Sequence, residues 1–347
     1  MNYASKNEGR RNGRLLLHHS FRNTIDAIRA AGIRLPTVGG PPNMDFGWVN
    51  SGPPEGRVTC LEQDRAYDLD ARQGQSLLND PKTLISAYDE SINKFNALEG
   101  TAFFTSHSMV YVSPSGYEPL NLLAMYFYTR SKELQSKSPH LIFSTNPSMD
   151  SQKDYLRDKL DFILANAVRN SILLVDGPII AGDVYTTLMS SVPDFASRGI
   201  LPVFFVKNSD SNMVIDNFPE LGGAYNSDLH WSYRTLRAGQ RTAFFRYVDR
   251  KNSRNSKVFC YVKVQNVSPV RVEFFVDTFE RYSSSIRPVM DMLQYLTIVQ
   301  GDIHNPQVRP IAIAEMYARE TLKLVNFQRL MRESGLHPTM NQERFAW

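Results

Sequence analysis

Ser171-Ile172-Leu173-Leu174-Val175-Asp176-Gly177-Pro178 is a short continuous apolar run that ends on an acid and two chain-turning residues. Such a run predicts a strand buried on both faces. Just upstream, Leu156, Leu160, Ile163, Leu164 and Ala167 recur at helical spacing, which predicts a helix over 151–168. Downstream, a helix through Met189 and a second buried strand over Ile200–Val206 complete a βαβ-like centre. Working outward, Ala102–Phe104 and Met109–Val112 read as two strands. Tyr117 to Tyr128 is apolar and aromatic and reads as a third strand or a short helix. Thr242–Val248, Phe259–Val264 and Val270–Val276 are strand-like and separated by polar turns, and Ile286–Val299 and Pro310–Ser334 are helical. The expectation is an α/β fold with a mixed sheet flanked by helices.

Residues 1–95 differ in character. A short helix is expected near Phe21–Ala31 and another near Pro81–Asn96. Between them Gly39-Gly40-Pro41-Pro42 and Gly52-Pro53-Pro54 interrupt any regular element. The expected organisation is an irregular N-terminal arm with helices over 1–95 and a domain over 96–347.

Hydrophobic residues are 42% of the 347 and charged residues 21%, so a packed core is expected rather than disorder. No apolar run is long enough for a membrane span, and Leu15-Leu16-Leu17 stops at His18-His19, too soon for a signal core. Two cysteines, Cys60 and Cys260, exclude a cysteine-based zinc site and suit a reducing, cytoplasmic setting. No Walker A motif is present. The net charge of +4 is small, but Arg246, Arg250, Lys251, Arg254 and Lys257 cluster among aromatics with only Asp249 opposing them. Basic side chains neutralise phosphates, so the loop carrying Arg250, Lys251 and Arg254 is a candidate DNA contact.

Asp176, at the carboxyl end of a buried strand, stands where α/β sheets place their sites, and a carboxylate there suits a hard divalent cation. Read locally, Asp-Gly is also a common turn pair. Asp161 borders the apolar stripe of the preceding helix, where a bare charge is costly. Asp158 lies between Arg157 and Lys159, in a charged stretch. Glu99-Gly100-Thr101 opens the first strand pair, where a plain turn is the simpler reading.

These segments resemble, in order, the motifs of the NurA nuclease family. Ile172–Ile179 resembles its strand ending in Asp-Gly. Leu201–Lys207 resembles its strand ending in lysine. Phe259–Val264 with Arg271-Val272-Glu273 resembles its paired strands with Arg-x-Glu. Arg309–Ala318 resembles its C-terminal helix, opened by a proline and carrying a histidine. The resemblance covers roughly Ala97 to Val325 and implies an RNase H-like fold. It implies Mn²⁺- or Mg²⁺-dependent cleavage of DNA, a homodimer, and a HerA-like hexameric ATPase as partner in DNA-end resection. Residue by residue it points to Glu99, Asp161 (Asp158 as the other candidate) and Asp176 as metal ligands. Tyr317 stands at the histidine position and Arg309 at a Tyr-Pro position. Lys207 or Arg271 would steady a phosphate, and Asp302 or His304 could stand in for the missing histidine. Glu99 and Tyr317 depart from the family pattern, so a catalytically degenerate DNA-binding or scaffold subunit is the alternative, in DNA repair or anti-phage defence.

Overall fold

The computed structural model describes residues 56–113, 115–138, 140–179, 186–207, 209, 211–221 and 224–339. The helix expected near Phe21–Ala31, and residues 1–55 of the expected arm generally, lie outside the described residues. The strands are β1 (Gly56–Cys60), β2 (Ala66–Asp68), β3 (Leu84–Asn96), β4 (Thr101–Ser113), β5 (Gly116–Thr129), β6 (Leu141–Phe143), β7 (Ser171–Asp176), β8 (Leu201–Val206), β9 (Gln240–Thr242), β10 (Phe245–Asp249), β11 (Ser256–Lys263) and β12 (Val270–Phe275). The helices that matter here are α1 (Ala71–Leu78), α2 (Lys132–Lys137), α3 (Pro147–Asn166), α4 (Thr186–Ser190), α5 (Val192–Ser197), α6 (Asp228–Thr235), α7 (Val276–Arg281), α8 (Ser283–Ile298), α9 (Arg309–Lys323) and α10 (Phe327–Glu333).

One mixed sheet runs in the order β1-β10-β11-β12-β8-β7-β3-β4-β5-β6. At its centre β3, β4 and β5 form an antiparallel meander, and β7 and β8 follow β3 in parallel. This is the expected mixed α/β sheet flanked by helices. Alternation along the strands sorts side chains onto two faces. One face carries Ile85, Ala87, Leu174, Val203, Phe205 and Val272 beneath Val289, Met290 and Leu293 of α8 and Ile311 of α9. The other carries Tyr88, Leu173, Val175 and Phe204 against Leu160, Phe162 and Ile163 of α3.

The segment Pro81–Asn96, expected as a helix, is the strand β3 and the centre of the sheet. Ile85, Tyr88, Ile92 and Phe95 happen to fall at helix-compatible intervals. The strand wins because its backbone pairs with β4 along its length and with β7 over Leu84–Tyr88. Burial on both faces also hides the alternation that would have marked it. Ala102–Phe104 and Met109–Val112 belong to the single long strand β4, and Tyr117–Tyr128 lies within strand β5. Thr242–Val248 divides into β9 and β10. Pro310–Ser334 divides into α9 and α10, the latter capped by Asn326, whose side chain accepts from Arg329 N. The 56–95 segment, assigned by composition to the arm, gives the sheet β1, β2 and all but the last residue of β3.

Candidate active site

The pairing of Tyr88 with Val175 sets Asp89 beside Asp176, and Asp176 in turn pairs with Phe205. Asp89, Asp176 and Lys207 therefore continue the face of Ala87, Leu174 and Phe205, and Asp176 and Lys207 each follow an uninterrupted apolar run. Helix α9 crosses that face and adds Glu315. The close approach is possible because Ala314 and Ala318 of α9 are small and buried, as are Ser106 and Ser108 of β4 beneath them.

These groups converge on one ammonium. Lys207 Nζ lies 3.0 Å from Glu315 Oε2, 3.3 Å from Asp176 Oδ2 and 4.0 Å from Asp89 Oδ2. Arg319 reaches the other oxygen of Glu315 at 2.5 Å. Asp89 is 4% exposed, and its Oδ2 is buried without a hydrogen bond. Burial, then the charges of Asp176 and Glu90, push the Asp89 carboxyl up to about 8, with Lys207 opposing. Burial also raises Asp176 against the pull of Lys207. Burial works against ionised Glu315 too, but the hydrogen bond and charge of Lys207 outweigh it and hold that carboxyl below its ordinary range. Three carboxyl groups thus share one close internal cation, and Asp89 is the one driven to keep its proton.

The opposite face carries a second layer of ions. Lys159 of α3 donates to both oxygens of Glu90 at 3.2 Å and to the carbonyl of Asp176 at 3.1 Å. Glu273 of β12, fully buried, meets Lys257 at 2.6 Å and Arg271 Nε at 2.7 Å, and accepts from Ile179 N at 2.8 Å.

Asp176 therefore stands where the sequence put it, but its expected companions do not join it. Glu99 sits beyond the end of β3 and is bonded to the backbone and ring of His337. Asn96, the last residue of β3, is seven residues past Asp89, roughly 23 Å along a straight strand. Hydrogen bonds from His337 lower the Glu99 carboxyl. Asp161 is exposed on α3. It lies two residues, about 200° of helix turn, from the inward-facing Lys159. Asp158 accepts from Tyr126 OH at 2.6 Å. Tyr317 is likewise two residues past Glu315 and half-buried. Arg271 pairs with Glu273 rather than facing the carboxylates around Lys207. Arg309 donates to the Val299 carbonyl at 2.8 Å. Asp302 caps its own loop, accepting from His304 N and Asn305 N. Arg250, Lys251 and Arg254 are exposed in the β10–β11 loop. The register of β11 on β12 and β12 on β8 puts that loop at the end of the sheet opposite Asp176 and Lys207.

Asp89 and Glu315 are the residues that sequence reading missed. The signal for Asp89 was a buried Tyr88-Asp89-Glu90 in mid-strand, hidden by the helical reading of that strand. Glu315 lay within the quoted proline-opened helix, one position past its run of small and aliphatic residues.

Asp89, Asp176 and Glu315 offer hard oxygen donors, and the unsatisfied, proton-retaining Asp89 suits a divalent cation. Against this, no group of three His, Cys, Asp or Glu side chains among the described residues is arranged to hold a metal as it stands. Lys207 fills the space between the three.

No curated protein matches the sequence significantly. Among solved structures, the NurA nuclease from Sulfolobus solfataricus is 11% identical, with 80% of this chain and 88% of that chain covered and a TM-score of 0.46. A NurA structure with manganese is 10% identical over 72% of this chain and 92% of that chain, TM-score 0.40. Endonuclease V of Ciona intestinalis, in complex with inosine-containing DNA, is 12% identical over 70% and 86%, TM-score 0.36. The NurA domain family matches residues 110–319, more than half of the sequence, from β4 through the α9 residue Arg319. On that match the chain belongs to the NurA domain family.

Proposed function

We propose that this chain is a divalent-metal-dependent deoxyribonuclease of the NurA type, with Asp89, Asp176 and Glu315 as the carboxylates of its site. The observation that carries this reading is their convergence from β3, β7 and α9 on the single ammonium of Lys207. These three side chains would hold Mn²⁺ or Mg²⁺. When bound, the metal supplies charge at the scissile phosphate and an acidified water. In the metal-free chain burial favours the protonated form of Asp89, with its orphaned Oδ2 as the natural position for the proton, and that proton would leave when a cation binds. Lys207, freed from part of its present pairing, balances the charge of a phosphate oxygen. The test is Mn²⁺-dependent cleavage of linear and single-stranded DNA by the wild type, Asp89→Asn and Asp176→Asn. Loss of cleavage in both variants is expected, and equal cleavage by all three overturns the site.

The second reading, a non-catalytic DNA-binding or scaffold subunit, is favoured by one observation: a lysine already occupies the centre of the carboxylates. Absence of cleavage by the wild type, with a translocase present, would support it. We further infer work in DNA-end processing, in repair or anti-phage defence, with a HerA-like hexameric ATPase and as a homodimer. The ordered family motifs support the ATPase. Leu120 and Leu122 on one face of β5, and Leu123 and Met125 on the other, are exposed apolar side chains that a second copy could cover. Pull-down and light scattering test these. No helix among the described residues is long and apolar enough to cross a membrane.

A further inference from the structure

Helix α3 buries Leu156, Leu160 and Ile163 along one stripe, and Lys159 belongs to the same stripe. A lysine only 7% exposed is an expensive choice there, because an ammonium gives up its hydration before it is paired. A methionine would fill the space without that cost. What the lysine adds is reach. Its Nζ sits 4.9 Å from the ring centroid of Tyr88, pairs with both oxygens of Glu90, and donates its remaining hydrogen bond to the carbonyl of Asp176.

That carbonyl begins a turn held from three sides. Gly177 N donates to the Phe205 carbonyl at 2.8 Å, and Ile179 N donates to buried Glu273 at 2.8 Å. Gly177 adopts φ 96°, a conformation that disfavours any side chain. Helix α3, strand β8 and strand β12 thus each fix one backbone group of the turn. Fixing the peptide plane after Asp176 fixes the direction from which its carboxylate reaches Lys207 on the far face. Glu90, the counterion of Lys159, is the chain neighbour of Asp89. One ion pair on the reverse of the sheet therefore braces both strands that carry carboxylates.

We propose that Lys159, with Glu90 as its counterion, is a positioning residue that holds the Asp176 turn in its ligand-presenting form. The part that concerns metal rests on the nuclease reading; the part that concerns the turn does not. The test compares full-length wild type with the double variant Lys159→Met/Glu90→Gln, which removes both charges and leaves no bare ion behind. Two quantities are read beside the melting temperature: amide exchange at Gly177 and Mn²⁺ affinity from the spin-resonance signal of free Mn²⁺. At an unchanged melting temperature, Gly177 should exchange about tenfold faster or more, as its local opening becomes easier. Mn²⁺ affinity should fall about 10- to 100-fold, the usual effect of removing a partner that orients ligands. A folded variant with wild-type exchange at Gly177 overturns the proposal. A wild type that binds no Mn²⁺ defeats the nuclease reading, while Gly177 exchange still decides the role of Lys159. Should the double variant fail to fold, Lys159→Gln takes its place, since its amide is one bond too short for the Asp176 carbonyl. It must show the same acceleration, and wild-type exchange there overturns the proposal equally.

Discussion

Lys207 Nζ lies 3.0 Å from Glu315 Oε2, tying the end of β8 to the middle of α9 across the candidate site. Burial disfavours the ammonium, but the charges of Asp176 and Asp89 outweigh it and raise its pKa. Lys207 therefore stays charged and competes with any added cation for the same oxygens. Lys207→Gln should lower the melting temperature of the metal-free protein, because three carboxyl groups lose their shared counter-charge. It should also enlarge the upward shift in melting temperature that Mn²⁺ produces. Thermal melts with and without Mn²⁺ check this, and a smaller Mn²⁺ shift in the variant counts against competition.

Stability should depend on pH through Asp89. Its carboxyl titrates at about 8 in the folded chain against an ordinary value of 3.8. Between those values the folded state binds the proton that the unfolded state has released. Stability from this group is then full below about pH 4 and is lost as pH rises toward 8. Asp89→Asn cannot ionise and should flatten that limb, so the variant gains on the metal-free wild type as pH rises from 5 to 8. Urea melts across that range read the difference, and parallel curves would contradict the burial argument.

Legibility followed chemistry more closely than pattern. The apolar runs of β7 and β8 declared themselves, since strands covered on both faces are continuous in sequence. Asp176 could be found because it follows such a run. Asp89 could not, because β3 mixes Ser86, Asp89, Glu90 and Ser91 into its interior, and a polar-rich buried strand has no clean period. Glu99 was read from Glu99-Gly100-Thr101 at the start of the first strand pair and from its likeness to a family motif, and no periodicity says how far a long hairpin carries its turn from the site. Reading Asp161, with Asp158 as the other candidate, as the helix ligand placed the sheet-facing side of α3 at an acid. In the fold a buried lysine faces that way and meets a carbonyl, an arrangement with no local sequence mark.

Glu99 and Asp161 consequently make a sharp control. Glu99 is held by His337 at the far end of the β3–β4 hairpin, and Asp161 is exposed on α3. Glu99→Gln and Asp161→Asn should each keep Mn²⁺-dependent cleavage within about twofold of wild type, as substitutions away from buried networks usually perturb little. Loss of cleavage in either, with the fold intact by circular dichroism, would move the site away from Lys207.

The basic loop offers the last test, and its position sets the terms. Arg250, Lys251 and Arg254 project from the β10–β11 turn, at the sheet end opposite Asp176. If the loop touches DNA, it touches a part remote from the scissile phosphate. Replacing all three with Ala should then weaken binding of long DNA and reduce the dependence of log affinity on log salt by up to about 0.9 per lost duplex contact. Short oligonucleotides that only fill the carboxylate site should bind as before, and cleavage at saturating DNA should keep its rate. Binding isotherms over a salt series, run with both lengths, separate these outcomes. An unchanged slope on long DNA removes the loop from the interface. An equal loss on short and long DNA would mean that the substrate path runs past both ends of the sheet.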